Sequence, residues 1–389
     1  MNDGPFTSGS QRTSGGAMPR LIDSTLREGS QAPGAYLTVS QRRDLLVSLL
    51  RIGAEEIEVG HAVAESAYGP SDLAELLALA AETAPGVRRA IWCRARHDDI
   101  VAAAALRPDV VSFALPVSDL HLTRRLGKDR DWALAAVGRL VDLAHDAGVG
   151  YVSIGLEDAT RADPDFLVEV VDAADVAGAD RLRIADTVGI ASPGEVVRLV
   201  GRVKAWFRGE VGVHLHDDFG MASGSAVDAL EAGADWTDVS LTGLGERAGI
   251  ARTEEVAAWL VARRGATYDL LAARAAALCL TEWLGRTVPA HAPVIGSEAF
   301  ACESGLHLAG LASDPAMYEP CPPELVGAER IWRLGQGSGR AAVAALMPDA
   351  ARDPTLTPIE AATRVRRAAA MLRRALEPSE WAEVLGSSN

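Results

Sequence analysis

The chain has 389 residues, is 48% hydrophobic and carries a formal charge of −15, which provides enough length and apolar content for one barrel-sized domain plus an appendage. Its acidity and the absence of any basic run exclude nucleic acid and anionic membrane surfaces as main partners, and no stretch is long and apolar enough to span a bilayer. Four widely separated cysteines, Cys93, Cys279, Cys302 and Cys321, lack metal-knuckle spacing and imply reduced thiols and a cytoplasmic location.

Residues 1–19, rich in Gly, Ser and Thr, read as a disordered tail, and Met18 is a second candidate start. From Arg20 the chain repeats one unit: a short β-branched run, a polar or glycine-bearing turn, then an amphipathic Ala/Leu/Val-rich segment. Strands are expected at Leu21–Ser24, Glu55–Val59, Arg89–Cys93, Val110–Ala114, Tyr151–Ile154, Arg181–Ala185, Val211–Leu215 and Thr237–Leu241. Helices are expected between them, opened by Ser40, Ser71, Asp163 and Ser192-Pro193 as caps or first-turn residues. Gly53, Gly148, Gly178 and Gly233 recur just before a strand, where a helix end needs a positive φ.

Eight such units could wind into an open sheet or close into a (β/α)8 TIM barrel over residues 20–265. The barrel is favoured because polar residues gather at so many strand C-termini, where either architecture places its function. Asp23, Glu28, Glu58, Arg94, Glu157, Asp158, Asp186, Thr187, His214, His216 and Thr242 all fall there. Residues 266–389 change character: helical stretches at Asp269–Leu284 and Pro358–Leu376 flank a Gly/Pro-rich segment at Pro289–Gly339. These read as a C-terminal helical accessory arm long enough to cover a barrel mouth, its own or a second subunit's.

Two stretches carry chemistry. In Val213-His214-Leu215-His216-Asp217-Asp218 the i, i+2 spacing on a strand turns both imidazoles to one face, which suits a metal ion and equally a solvated sheet end. Asp23-Ser24-Thr25-Leu26-Arg27-Glu28-Gly29 places an arginine beside a carboxylate at the first strand end. Placed in the same mouth as His214 and His216, Glu28 is a third hard ligand and Arg27 a fixed cation, and two His plus one carboxylate leave coordination positions open for substrate.

These stretches resemble the metal-dependent acyl-CoA condensing barrels, the homocitrate, isopropylmalate and citramalate synthases. The likeness extends through Glu157-Asp158, Ala185-Asp186-Thr187-Val188-Gly189 and Gly243-Leu244-Gly245-Glu246-Arg247-Ala248-Gly249. Trp92-Cys93-Arg94 and Leu115-Pro116-Val117-Ser118-Asp119-Leu120 are most similar to the nitrogen-fixation type of homocitrate synthase.

The resemblance implies a cytoplasmic homodimer that condenses acetyl-CoA with a 2-oxo acid and then hydrolyses the thioester. It implies a divalent metal on Glu28, His214 and His216, with Arg27 polarising the keto oxygen, Glu157 in the proton work, Thr187 at the substrate carboxylates and Tyr318 reaching in from the accessory arm. Where the family pattern has an acid/base histidine, Phe300-Ala301-Cys302-Glu303-Ser304-Gly305-Leu306-His307 offers Cys302, with His307 keeping the second place. Cys302 or His307 takes over that work, or Cys302 merely packs, as an unpaired cysteine more often does.

For the distal group of the 2-oxo acid, the strand-five places of an arginine and a serine in lysine-pathway enzymes hold Ser153 and Gly155 here. His61, with the Ala62–Pro70 stretch after it, departs from both branches, and Arg94 joins the candidate substrate contacts. The expected substrate is 2-oxoglutarate or another anionic 2-oxo acid. Phosphono- or phosphinopyruvate is the rival substrate, and a non-catalytic metabolite-binding homologue the rival class.

Overall fold

The structure is a computed structural model and describes residues 18–62, 70–346 and 355–386. The tail expected over residues 1–19 lies outside these, save Met18 and Pro19, as does most of the stretch after His61. Eight parallel strands close into a barrel in chain order, with β1 hydrogen-bonded to β8 as well as to β2. They are β1 (Arg20–Asp23), β2 (Glu56–Ala62), β3 (Arg88–Arg94), β4 (Val110–Pro116), β5 (Val152–Glu157), β6 (Arg181–Asp186), β7 (Glu210–Leu215) and β8 (Trp236–Val239). One helix follows each: α1 (Val39–Ile52), α2 (Pro70–Thr83), α3 (His97–Ala105), α4 (Arg130–Asp146), α5 (Pro164–Ala177), α6 (Pro193–Trp206), α7 (Ala222–Glu231) and α8 (Thr253–Arg264). The chain therefore forms the expected TIM barrel.

The caps explain most helix starts. Asp163 accepts from Asp165 N and Phe166 N ahead of Pro164, and Ser192 forms a capping box with Glu195 ahead of Pro193. Ser40 and Ser71 lie in the first turns of α1 and α2, the former behind the cap Thr38, which forms a capping box with Gln41, and the latter behind Pro70. Gly53, Gly148, Gly178 and Gly233 have φ of 96°, 85°, 83° and 103°, as helix exits require.

The largest correction is in β2, which continues past the expected end at Val59 to Ala62. Its register shifts between Glu58 and Gly60, so that Glu58 pairs with Ala90 and His61 with Trp92. Strict alternation would put Glu58 and His61 on opposite faces. The irregularity puts them on the same one, which is how a bulge re-aims a side chain near a site.

The barrel interior is layered with charges. At the strand N-termini Arg181 donates to both oxygens of Glu56 (2.9 and 2.6 Å) and to Ser153 Oγ (3.0 Å), all three side chains being fully buried. At the same end Trp236, with Arg20 4.0 Å and Arg181 5.0 Å from its ring centroid, donates through Nε1 to Glu210 (2.9 Å). One layer toward the strand C-termini lie Glu58, Ser112, Arg183 and Asp238. The barrel's unit continues through α9 (Leu270–Trp283) to Thr287.

A second compact unit begins at Val288. It contains β9 (Ala301–Cys302), α10 (Gly305–Ser313), β10 (Ile331–Trp332), α11 (Arg340–Leu346), α12 (Pro358–Leu372) and α13 (Pro378–Leu385). Its core is Leu308, Leu334, Val343, Val365, Leu376 and Leu385. The helix expected to run to Leu376 stops at Leu372, where Arg373 turns left-handed with φ 56°. Among the described residues no helix is long and apolar enough to cross a membrane.

Candidate active site

A cavity of about 230 Å³ opens among the strand C-termini, lined by Arg27, Trp92, Glu157, Thr187, His214 and His216, with Arg183 and Arg125 also reaching it. Size does not single it out, since a groove of about 610 Å³ lies at the opposite strand ends and one of about 300 Å³ beside α6. Its chemistry does, because titratable groups of both signs converge there.

The turn after β1 builds one wall. Glu28 N and Arg27 N donate to Ser24 O at 2.7 and 3.0 Å, while Asp23, raised to about 6 by burial, accepts from Thr25 N (2.9 Å) and Thr253 Oγ1 (2.7 Å). Arg27, 6% exposed, donates through Nη1 to Glu28 and through Nε to Glu58 Oε2 at 2.7 Å, and Ser24 Oγ donates to the same oxygen at 2.7 Å. Burial works to raise the Glu28 carboxyl, but the Arg27 guanidinium beside it is the largest of the effects that outweigh it and hold Glu28 below the usual range. The loop after β8 approaches closely: a Cβ on Gly245 would stand 3.1 Å from Glu28 Cγ, and Glu246 N donates to Glu28 Oε1 at 3.3 Å.

The end of β7 builds the facing wall. His214 Nδ1 lies 2.8 Å from Asp238 Oδ2, and its Nε2 lies 3.9 Å from Glu28 Oε2. Burial works to raise Asp238, but Arg183 and His214 outweigh it and keep it low. An ionised Asp238 can only accept, so His214 carries a proton on Nδ1 and directs Nε2 toward Glu28. The His216 ring centroid lies 5.1 Å from that of His214, and burial, then His214, lower its pKa to about 4, so His216 is a neutral imidazole.

Glu28, His214 and His216 offer one ligand atom each, all within 4.8 Å of one another. Buried His216 Nδ1 has no hydrogen-bond partner among the described residues. A carboxylate and two imidazoles, one of them with an unpartnered buried nitrogen, fit a divalent cation.

Glu157 accepts from Arg125 Nη2 (2.7 Å) and sits 3.1 Å from His121 Nδ1; both donors lie on the single π-helical turn His121–Leu126. Thr187 Oγ1 accepts from Asp158 N at 2.8 Å, and Arg247 Nη2 donates to the Thr187 backbone carbonyl at 2.7 Å, so the hydroxyl and the backbone of this residue are each tied down. His61 packs edge-on against Trp92, ring centroids 4.7 Å apart, and lines a neighbouring cavity of about 220 Å³ that shares Gln31 with the mouth.

Two expected substrate contacts are corrected. Ser153 is not at the mouth but in the floor layer, where it accepts from Arg181. Arg94 turns to Asp99, donating through Nε (2.5 Å) and Nη2 (3.1 Å), and is not among the residues lining the mouth. Sequence reading missed Arg183, Asp238, His121 and Arg125. Arg181 and Arg183 at i, i+2 in an otherwise apolar strand were the available signal, as was an aspartate inside the four-residue strand Trp236–Val239.

Cys302, His307 and Tyr318 belong to the second unit. Cys302 pairs across β9 and β10 with Trp332 and packs on the Leu308 cluster, where burial, then Glu303, push its thiol up. A site selecting for thiolate would do the opposite. The rings of His307 and Tyr318 lie 4.3 Å apart, and Gly310 makes room for them, since a Cβ there would come within 2.3 Å of the tyrosine ring.

Residues 18–278 match the HMGL-like family, and residues 294–371 match the homocitrate synthase post-HMGL domain-like family. The chain is 39% identical to a homocitrate synthase of Frankia alni over 329 residues, covering 83% of this chain and 91% of that one. It is 35% identical to a 2-phosphonomethylmalate synthase of Streptomyces rubellomurinus over 326 residues, covering 83% of this chain and 86% of that one. Among solved structures, hydroxymethylglutaryl-CoA lyase from Pseudomonas aeruginosa superposes with TM-score 0.61 at 22% identity, over 69% of this chain and 94% of that one, a likeness of fold.

Proposed function

The chain belongs to the HMGL-like family of acyl-CoA condensing enzymes, and from that premise we propose that it joins acetyl-CoA to an anionic 2-oxo acid and releases free CoA. The observation that carries this reading is the convergence of Arg27, Glu157 and the Glu28, His214, His216 cluster on one mouth. A divalent cation held by those three residues would chelate the carboxylate and keto oxygen of the 2-oxo acid and draw electron density from its carbonyl.

The chain's own groups account for the rest. Arg27, locked by Glu28 and Glu58, is a fixed cation at the place where the keto oxygen gains negative charge as the carbon–carbon bond forms. Glu157 is the carboxylate positioned for proton transfer, oriented by His121 and Arg125. Thr187 holds a substrate carboxylate through its hydroxyl proton, since its lone pair already accepts from Asp158 N. Hydrolysis of the resulting thioester consumes one water and releases the CoA thiol.

The distal group of the 2-oxo acid lies toward Trp92, whose ring packs on His61, in the field of Arg27, Arg125 and Arg183, which line the same mouth. That field favours an anion, hence 2-oxoglutarate or a similar diacid. The Streptomyces relative supports a phosphonate as the second reading. Four free cysteines support a reducing compartment, the cytosol, for the reaction.

Purified protein with Mn²⁺, acetyl-CoA and a panel of pyruvate, 2-oxoisovalerate, 2-oxoglutarate and phosphonopyruvate tests this. CoA thiol should appear fastest with an acid bearing a distal anion, and thiol release with none of the panel would overturn the proposal.

The accessory arm supplies the remaining acid/base group, and we assign it to His307, not Cys302. Cys302→Ser should keep kcat within about threefold, while His307→Ala should lose about 10²–10⁴. The second unit leaves Leu306, Met317 and Tyr318 exposed, which supports a homodimer in which each arm serves the other protomer's mouth. Mixing His307→Ala with Arg27→Ala protomers should then restore activity, and no recovery after demonstrated subunit exchange would count against it.

A further inference from the structure

Beneath the mouth, four side chains of alternating charge, Arg27, Glu58, Arg183 and Asp238, form one line that ends on His214. Arg27 Nε donates to Glu58 Oε2 at 2.7 Å, and Glu58 Oε1 accepts from Arg183 Nη1 at 2.9 Å. The same Nη1 donates to Asp238 Oδ2 at 2.8 Å, the oxygen that His214 Nδ1 meets at 2.8 Å. Arg183 Nη2 is tied down in turn by Ser112 Oγ. Glu58, Asp238 and Ser112 are fully buried and Arg183 is 2% exposed, so the links among these four are shielded from bulk water.

One guanidinium nitrogen thus anchors both the carboxylate that aims Arg27 and the carboxylate that orients His214. We propose that Arg183 is the positioning residue that joins the cationic half of the site to its metal-binding half. The proposal rests on the reading of Glu28, His214 and His216 as a metal site, and it goes beyond it by assigning metal affinity to a residue that touches none of the three.

The physical reason is geometric. A guanidinium presents several donors in a fixed plane, and Arg183 uses two of its nitrogens on three acceptors. A lysine ammonium is a point charge on a flexible stem and cannot hold Glu58, Asp238 and Ser112 at once. Slackening the link lets Asp238 turn, and the His214 imidazole loses the partner that orients it.

The molecule holds its own control. Arg181 is just as buried and forms a bidentate pair with Glu56, but its partners Glu56 and Ser153 lie in the floor, away from the mouth. Arg183→Lys and Arg181→Lys should therefore both lower the melting temperature. Arg183→Lys alone should weaken Mn²⁺ binding by equilibrium dialysis, by about 10–100-fold, the usual effect of disturbing outer-shell support.

Ser112→Ala, a milder change that frees only Nη2, should weaken Mn²⁺ binding in the same direction by a smaller factor, and it serves if Arg183→Lys does not fold. Equal melting losses in the two arginine variants with unchanged Mn²⁺ affinity in Arg183→Lys, or in Ser112→Ala as its substitute, would make Arg183 an ordinary core ion pair and overturn the proposal. If His214→Ala also left Mn²⁺ affinity intact, the fault would lie instead with the metal-site reading.

Discussion

His214→Ala is expected to release the bound cation and to lower turnover by about three orders of magnitude. His214 Nε2 and Glu28 Oε2 stand 3.9 Å apart, so removing the imidazole leaves a carboxylate and one remaining histidine, too few donors to hold a labile divalent ion against water. Carbonyl polarisation by such an ion is worth several kcal/mol of transition-state stabilisation, and each 1.36 kcal/mol is a factor of ten in rate. The variant also leaves Asp238 with Arg183 as its remaining charged partner, which keeps that carboxylate satisfied and the barrel folded. Metal analysis of the dialysed variant checks this directly, and full stoichiometry there would remove His214 from the ligand set.

Arg27→Met should separate binding from chemistry in the opposite way. The ion should stay, because Arg27 is not one of its ligands, while kcat should fall by about 10²–10³, the usual effect of losing one donor aimed at developing charge. Stability should also fall, since Glu28 and Glu58 are left as buried carboxylates with one partner fewer, and breaking a buried pair costs about 3–5 kcal/mol. Arg27→Lys should recover part of the stability but little of the rate, because an ammonium cannot span both carboxylates as Nε and Nη1 do. Wild-type kcat in a folded Arg27→Met protein would exclude Arg27 from the chemistry.

The alternation of strand and helix signals was strong enough to read the barrel from sequence, and strand-end placement brought Arg27, Glu28, Glu157, Thr187, His214 and His216 together before any coordinates. Misplacements came from places where the chain breaks its own period. A bulge cannot be read from residue types, so the direction of His61 was invisible while its presence was plain. Ser153 was drawn toward the mouth because the resemblance puts it where lysine-pathway enzymes hold a substrate contact on strand five. Its partner Arg181 shows it belongs to the floor. Asp238 and Arg183 escaped because their meaning lies in each other, on strands far apart in sequence but close across the barrel. Cys302 was ambiguous by nature, and only its packing against the second unit's core and its raised thiol favour the structural role.

The charged floor of the barrel also shapes how this protein can change over generations. Arg181 and Glu56 are both fully buried and answer each other's charge through two hydrogen bonds. Losing either alone strands the other at a cost of about 3–5 kcal/mol, whereas exchanging both for apolar residues of similar volume can be neutral or better. Every single step away from the present pair leads downhill in stability, even where the double step does not. The interior is therefore a ratchet, held by the depth of the intermediate, and lineages descending from this chain should alter Arg181 and Glu56 together or not at all.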